Sequence, residues 1–299
     1  MKSADRADTN AMNPGCRGID SQSKRRRGLA AILVVAALAL ALVLAAPAGA
    51  APPRGGVGGG AGKVEPPGPK PQLLLFHGGS FLFEDPEFRP TTDEPAIAAG
   101  FMPHYVTYPL GNVPAAVLAA RAAAKELREK VGVENVFAYG SSAGGTLAAL
   151  LSGEGLVSAA VAKAPVSDLV SWEWPLTTYG PNYDEEVGLT LADRYRLSPL
   201  RRPAESPLLV VQGRGDQVVP PAMNVAFAAK FERVHLLSVP GGHTTDKLRP
   251  YVVQDAMEWL ARTARLQARA VAHEERLEEQ EEEKAEKEAK EAAQKNALP

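Results

Sequence analysis

The sequence predicts an α/β domain on a mostly parallel sheet of about six strands, with helices on both faces and a small cap inserted late in the domain. Two observations predict it. First, between residues 71 and 265 short apolar runs at 73–76, 101–107, 134–139, 158–164, 207–212 and 234–239 are separated mostly by helix-like stretches. Strands that alternate with helices imply a parallel sheet covered on both faces. Second, four of those runs end in glycine-rich turns that carry polar residues. In open α/β sheets, ligands and reactive groups collect at the carboxyl ends of strands.

Taken in order, the first apolar run enters Phe76-His77-Gly78-Gly79-Ser80-Phe81. Glycines there let backbone N–H groups approach a substrate oxygen, so Gly78, Gly79 and Ser80 are candidate oxyanion donors. His77 reads as a brace for the loop. Residues 115–130 form an amphipathic helix. The run 134–139 then enters Gly140-Ser141-Ser142-Ala143-Gly144, a G-x-S-x-G turn with Ser142 as candidate nucleophile. Ser141 lacks glycines at two residues on either side and is placed beside the site. Ala143 opens the following helix, and its N–H is a further candidate oxyanion donor. The run 158–164 precedes Asp168, a competing acid. The run 207–212 enters Gly213-Arg214-Gly215-Asp216, and a helix follows at 221–232. The last run enters Pro240-Gly241-Gly242-His243, before a helix at 248–265 that Asp246 caps with Thr244 and Thr245.

A serine hydroxyl is a poor nucleophile at neutral pH and needs an adjacent base. His243 is the candidate base, and Asp216 the candidate that holds its Nδ1–H. Each stretch alone also reads as an ordinary turn; order, spacing and strand-end placement together favour catalysis. The chain order Ser, Asp, His and the G-x-S-x-G turn mark the region 71–265 as one that resembles the α/β-hydrolase superfamily. Within it, 73–81 is similar to the oxyanion segment of acetyl-esterase and hormone-sensitive-lipase-like enzymes, with Ser80 at the third loop position where that family has glycine. Pro109-Leu110 after Tyr108 faintly resembles the segment after those enzymes' next strand. The resemblance implies a reduced α/β-hydrolase fold and a carboxylesterase-type serine hydrolase that cleaves a small or medium acyl ester through an acyl-enzyme. Two other readings stand beside it: a prolyl-oligopeptidase-like serine peptidase, and a non-catalytic binding protein on the same fold. The region spans roughly 195 residues, and the Pro/Gly-rich chain before it supplies no further strands.

The rest of the chain is organised differently. Residues 1–50 carry Lys24-Arg25-Arg26-Arg27, an apolar run over 29–46 and an Ala-Gly-Ala site, and read as a signal peptide or a membrane anchor. The hydrolase region is therefore expected outside the cytoplasm, secreted or tethered through 29–46. Cys16 precedes the apolar run, so the exported part has no cysteine for a disulfide, a thiol nucleophile or a thiolate metal site. Residues 51–70 read as a Gly/Pro linker. The insertion 171–203 carries Trp172, Trp174, Tyr179 and Tyr183 and reads as a cap whose aromatics form its own small core or line a pocket. Residues 266–299 read as a charged helical tail, too poor in leucine for a coiled-coil seam. No spacing suggests a metal or a cofactor, and a net charge of −2 argues against nucleic acid as a partner. The expected partner is a small-molecule ester.

Overall fold

A computed structural model describes residues 70–244 and 250–296, with side chains to 291. The expected signal or anchor, Cys16, nearly all of the linker, and Thr245 with Asp246 lie outside the described residues. No helix among the described residues is long and apolar enough to cross a membrane.

Six strands form one sheet: β1 (Gln72–Phe76), β2 (Met102–Tyr105), β3 (Val136–Ser141), β4 (Ala159–Lys163), β5 (Leu208–Gly213) and β6 (Val234–Val239). Their order is β2-β1-β3-β4-β5-β6, and every pair is parallel. The chain leaves β1 to one side for β2, then returns past it to β3. The carboxyl ends of β1 and β3 therefore flank a topological switch point, where loops diverge and a crevice opens.

Side chains alternate along each strand and divide the core into two layers. Leu74, Phe76, Ala138, Ala160, Ala162, Leu208 and Val210 face one side. There they meet α2 (Val113–Val131), α3 (Ala143–Gly153) and α7 (Pro221–Lys230). Leu73, Leu75, Phe137, Tyr139, Val161, Leu209 and Val211 face the other, against α1 (Phe88–Ala98) and α8 (Tyr251–Asn296). Helix α2 starts where Asn112 accepts the Ala115 N–H at 2.9 Å, with proline in the first turn.

Strand edges differ modestly from expectation. Residues 133–135 form a single 3₁₀ turn, and β3 runs on to Ser141, directly against the nucleophile candidate. Helix α1 carries no sequence signal, because Pro90 and Pro95 interrupt its pattern. It survives because Phe88 and Ala96 bury against the sheet.

The insertion folds into three short α-helices, α4 (Trp174–Thr178), α5 (Tyr183–Glu186) and α6 (Leu191–Arg196), and a 3₁₀ turn at Pro199–Arg201. Buried Arg194 organises it: the guanidinium pairs with Asp184 and donates to the carbonyls of Leu169 and Trp172. Trp172 and Tyr183 are buried in the main core, and Trp174 and Tyr179 pack against them. Helix α8 is one uninterrupted element across residue 265. Val252, Val253, Ala256, Met257 and Leu260 anchor its first turns, each large apolar side chain contributing roughly 1.5–3 kcal/mol. From Glu275 to Glu291 the helix is solvent-exposed.

Candidate active site

The G-x-S-x-G turn is a sharp reversal between β3 and α3. Ser142 sits at its apex with φ 54° and ψ −116°, a conformation that costs of order 1–3 kcal/mol for a residue with a Cβ. The surrounding packing enforces it. A Cβ on Gly140 would strike the Gly144 carbonyl, and one on Gly144 would strike the carbonyls of Phe76 and His77. The Ser142 N–H donates to the Lys163 carbonyl at 2.8 Å, which pins the turn to the end of β4.

Asp216 stands just beyond β5 and His243 beyond β6. His243 Nε2 lies 2.9 Å from Ser142 Oγ, and His243 Nδ1 lies 2.9 Å from Asp216 Oδ2. The Asp216 carboxylate is fully buried, while the imidazole keeps 19% of its surface exposed. Burial opposes the aspartate charge. The His243 hydrogen bond and the N–H groups of Val219 and Val218 outweigh it, and hold the carboxyl below its usual range. Asp216 Oδ1 accepts both of those N–H groups at 2.9 Å, which fixes the position of that oxygen.

Gly78 packs on the turn from the other side: a Cβ there would stand 3.2 Å from the Ser141 carbonyl and 3.4 Å from Ser142 Cβ. Gly79 has φ +114° and no room for a Cβ against the Phe83 carbonyl. Ser80 follows at φ 54°, its carbonyl accepting from the Tyr183 hydroxyl at 2.8 Å and its own hydroxyl 3.3 Å from that of Tyr179. Ala143 is the first residue of α3, where the backbone N–H has no partner within the helix. Among the described residues no acceptor meets the N–H of Gly79, Ser80 or Ala143. His77 braces the loop: its ring stacks on Tyr108 at 4.3 Å, and its Nδ1 bonds the Gly78 carbonyl at 2.6 Å. Tyr108 returns a hydrogen bond to the His77 carbonyl at 2.8 Å.

Asp168 is held elsewhere. Its oxygens accept from Ser171 Oγ at 2.9 Å and the Val170 N–H at 3.2 Å, which ties down the start of the cap. Two buried residues near the acid gave no sequence signal. Gln212 Nε2 donates to Asp216 Oδ2 at 3.0 Å, and Asn224 Nδ2 donates to Gln212 Oε1 at 2.6 Å. The cap aromatics pack into the main core and also bond the loops around the site. Trp172 and Tyr183 are core, yet Trp172 Nε1 bonds the Val218 carbonyl at 2.8 Å and Tyr183 holds Ser80. No group of three His, Cys, Asp or Glu among the described residues is placed to hold a metal.

An all-parallel sheet of this order, with a strained serine turn at its switch point, defines an α/β-hydrolase-type serine hydrolase. The chain belongs to the prolyl oligopeptidase family, whose profile matches residues 112–267, more than half of its length. No curated protein sequence matches it. Among solved structures it is similar to esterase Est2 of the planctomycete Thermogutta terrifontis with propionate bound, at 23% identity over 66% of this chain and 84% of that one, TM-score 0.53. The same esterase phosphonylated by sarin matches at 21% identity, with the same coverage and a TM-score of 0.55. An acetyl ester-xyloside bifunctional hydrolase of Caldicellulosiruptor lactoaceticus matches at 17% identity over 66% of this chain and 83% of that one, TM-score 0.54. At these identities the likeness is one of fold.

Proposed function

We propose that the chain is a carboxylesterase acting on small or medium acyl esters, with Ser142 as nucleophile, His243 as base and Asp216 as the acid that orients it. The observation that carries this reading is the unbroken relay from Asp216 through His243 to Ser142, with 2.9 Å at both steps. Ser142 Oγ attacks the acyl carbon as its proton passes to His243 Nε2. The carbonyl oxygen becomes an oxyanion, stabilised by the Ala143 N–H and by N–H groups of the Gly78–Ser80 loop. Collapse breaks the ester C–O bond, and the leaving alkoxide takes the proton from His243. Water, deprotonated by His243, then attacks the acyl carbon; collapse breaks the bond to Ser142 Oγ, which takes the proton back from His243 Nε2 as the acid leaves. The fold shared with a propionate-bound esterase supports an ester in place of a peptide. The apolar run at 29–46 after a basic cluster supports a place outside the cytoplasm.

The test is hydrolysis of p-nitrophenyl acetate and butyrate, beside a chromogenic prolyl peptide, by the protein and by Ser142→Ala. Ester turnover that disappears in the folded variant supports the reading. Peptide turnover in place of ester turnover moves the substrate to the peptidase alternative. No turnover, with no fluorophosphonate label on Ser142, rejects catalysis.

A further inference from the structure

Beneath Asp216 lies a second, fully buried polar chain. Gln212, the penultimate residue of β5, is 1% exposed, and Asn224, on α7, is 0% exposed. A buried amide without partners costs several kcal/mol, so each hydrogen bond here fixes an orientation. The Pro165 carbonyl can only accept, and Asn224 Nδ2 donates to it at 3.0 Å. The same nitrogen donates to Gln212 Oε1 at 2.6 Å. Gln212 Nε2 is thereby turned toward Asp216 Oδ2, the oxygen that also meets His243. The carbonyls of Gly213 and Val219, at 3.1 and 3.3 Å from Nε2, favour the same orientation. Only acceptors surround Nε2, and the donor from Asn224 faces Oε1, so a flipped Gln212 amide would lose every one of these bonds.

We propose that Gln212 and Asn224 are positioning residues for the acid: an amide relay from the Pro165 carbonyl that fixes the Asp216 carboxylate and, through it, the ring of His243. The proposal rests on the Ser142–His243–Asp216 reading above. Without Gln212, Asp216 Oδ2 keeps a single partner, and the carboxylate turns about the two N–H groups at Oδ1. Asn224 hydrogen-bonds to neither Asp216 nor His243, so it acts through Gln212.

Three variants test this: Gln212→Met, which keeps length without the donor, Asn224→Leu, and the double variant. Each is measured for kcat and KM on p-nitrophenyl acetate, for fluorophosphonate labelling rate and for thermal melting. A lost hydrogen bond to a charged group predicts a fall in kcat and labelling of about tenfold to a hundredfold in Gln212→Met, with KM unchanged. The Asn224→Leu fall should be smaller, roughly threefold to tenfold, and the double variant should match Gln212→Met, since one residue acts through the other. Folded variants with kcat within twofold of the parent overturn the proposal. So do losses that multiply in the double variant. If neither variant folds, the Gln212 side-chain protons of the unmutated protein decide: slow exchange in NMR supports the relay, and fast exchange overturns it. Failure of the triad reading looks different, since the unmutated protein would then turn over no ester, or would do so equally well as Ser142→Ala.

Discussion

Replacing Asp216 with Asn keeps the shape of the side chain and removes one acceptor. The new amide must choose which oxygen position its NH₂ takes. At the Oδ1 position it would face the N–H groups of Val218 and Val219, both at 2.9 Å and both only donors, leaving buried donors unmatched at about 1–3 kcal/mol each. At the Oδ2 position it faces one fixed donor, Gln212, and the imidazole of His243, which can change tautomer. The second arrangement wins. The Asn NH₂ then donates to His243 Nδ1, the imidazole proton moves to Nε2, and Nε2 presents a hydrogen where Ser142 needs a lone pair. A wrong tautomer in an otherwise intact triad costs about 10⁴ in kcat, which is roughly 5.5 kcal/mol of transition-state stabilisation. The assay is p-nitrophenyl acetate hydrolysis at pH 7.5, with melting by circular dichroism to show that the fold remains. Asp168→Asn is the matched control. Its carboxylate serves Ser171 and Val170, and kcat should stay within about threefold. An Asp216→Asn protein that melts cooperatively and keeps a tenth or more of parental kcat would refute the tautomer argument.

Other consequences follow from packing and charge. Gly144→Ala drives a Cβ between the Phe76 and His77 carbonyls and should cost about 3 kcal/mol, whereas Gly153→Ala meets only ordinary contacts at 3.5 Å and should be neutral or stabilising; calorimetry separates them. Burial lowers the pKa of His235, whose Nε2 has no partner among the described residues. The unfolded chain therefore binds the proton first, so this contribution is full above pH 6.5 and lost as pH falls through the folded value. His104 shifts in the same direction, through burial and then Lys130, and Asp216 adds its own loss only below the usual carboxylate range near 3.8. Melting temperatures between pH 7 and pH 5 should accordingly fall less steeply in His235→Phe than in the parent. Ending the chain after Arg276 removes a stretch of α8 that is exposed from 277 to 291, including the Glu286–Lys290 pair, and should leave the melting temperature within about 1–2 °C.

What the sequence reveals is local. Glycines at 140 and 144, at 78 and 79, and at 213 and 241 stand where backbone meets backbone, so a one-dimensional pattern carries three-dimensional content. Ser142, Asp216 and His243 stood out because each follows such a turn at a strand end. Strand order was not legible, since nothing in the run Gln72–Phe76 says that β1 lies between β2 and β3. Helix α1 was hidden by its prolines, whose propensity argues against helix while tertiary burial of Phe88 favours it. Gln212 and Asn224 were hidden for a different reason. One polar residue in an apolar strand and one on a helix have no shared local signature, and they meet only because α7 packs on β5. Helix α8 read as two segments because its burial ends near residue 275 while its backbone does not.

The cap is what joins these separately legible pieces. A serine at φ 54° and a loop with Gly79 at φ +114° both hold their conformation only through the packing around them. Tyr183 reaches the loop, donating to the Ser80 carbonyl at 2.8 Å. Trp172 meets Tyr183 edge to face at 6.1 Å, and its indole N–H grips the carbonyl of Val218, whose own N–H, like that of Val219, holds Asp216. One aromatic pair therefore spans from the oxyanion loop to the acid loop. A cap bonded to both cannot swing away as a free lid without releasing Ser80 and Val218 together. Its aromatics fix the distance between the groups that would stabilise the oxyanion and the carboxylate that would orient the base, and they do so from side chains that are themselves buried, so their own rotamers are locked.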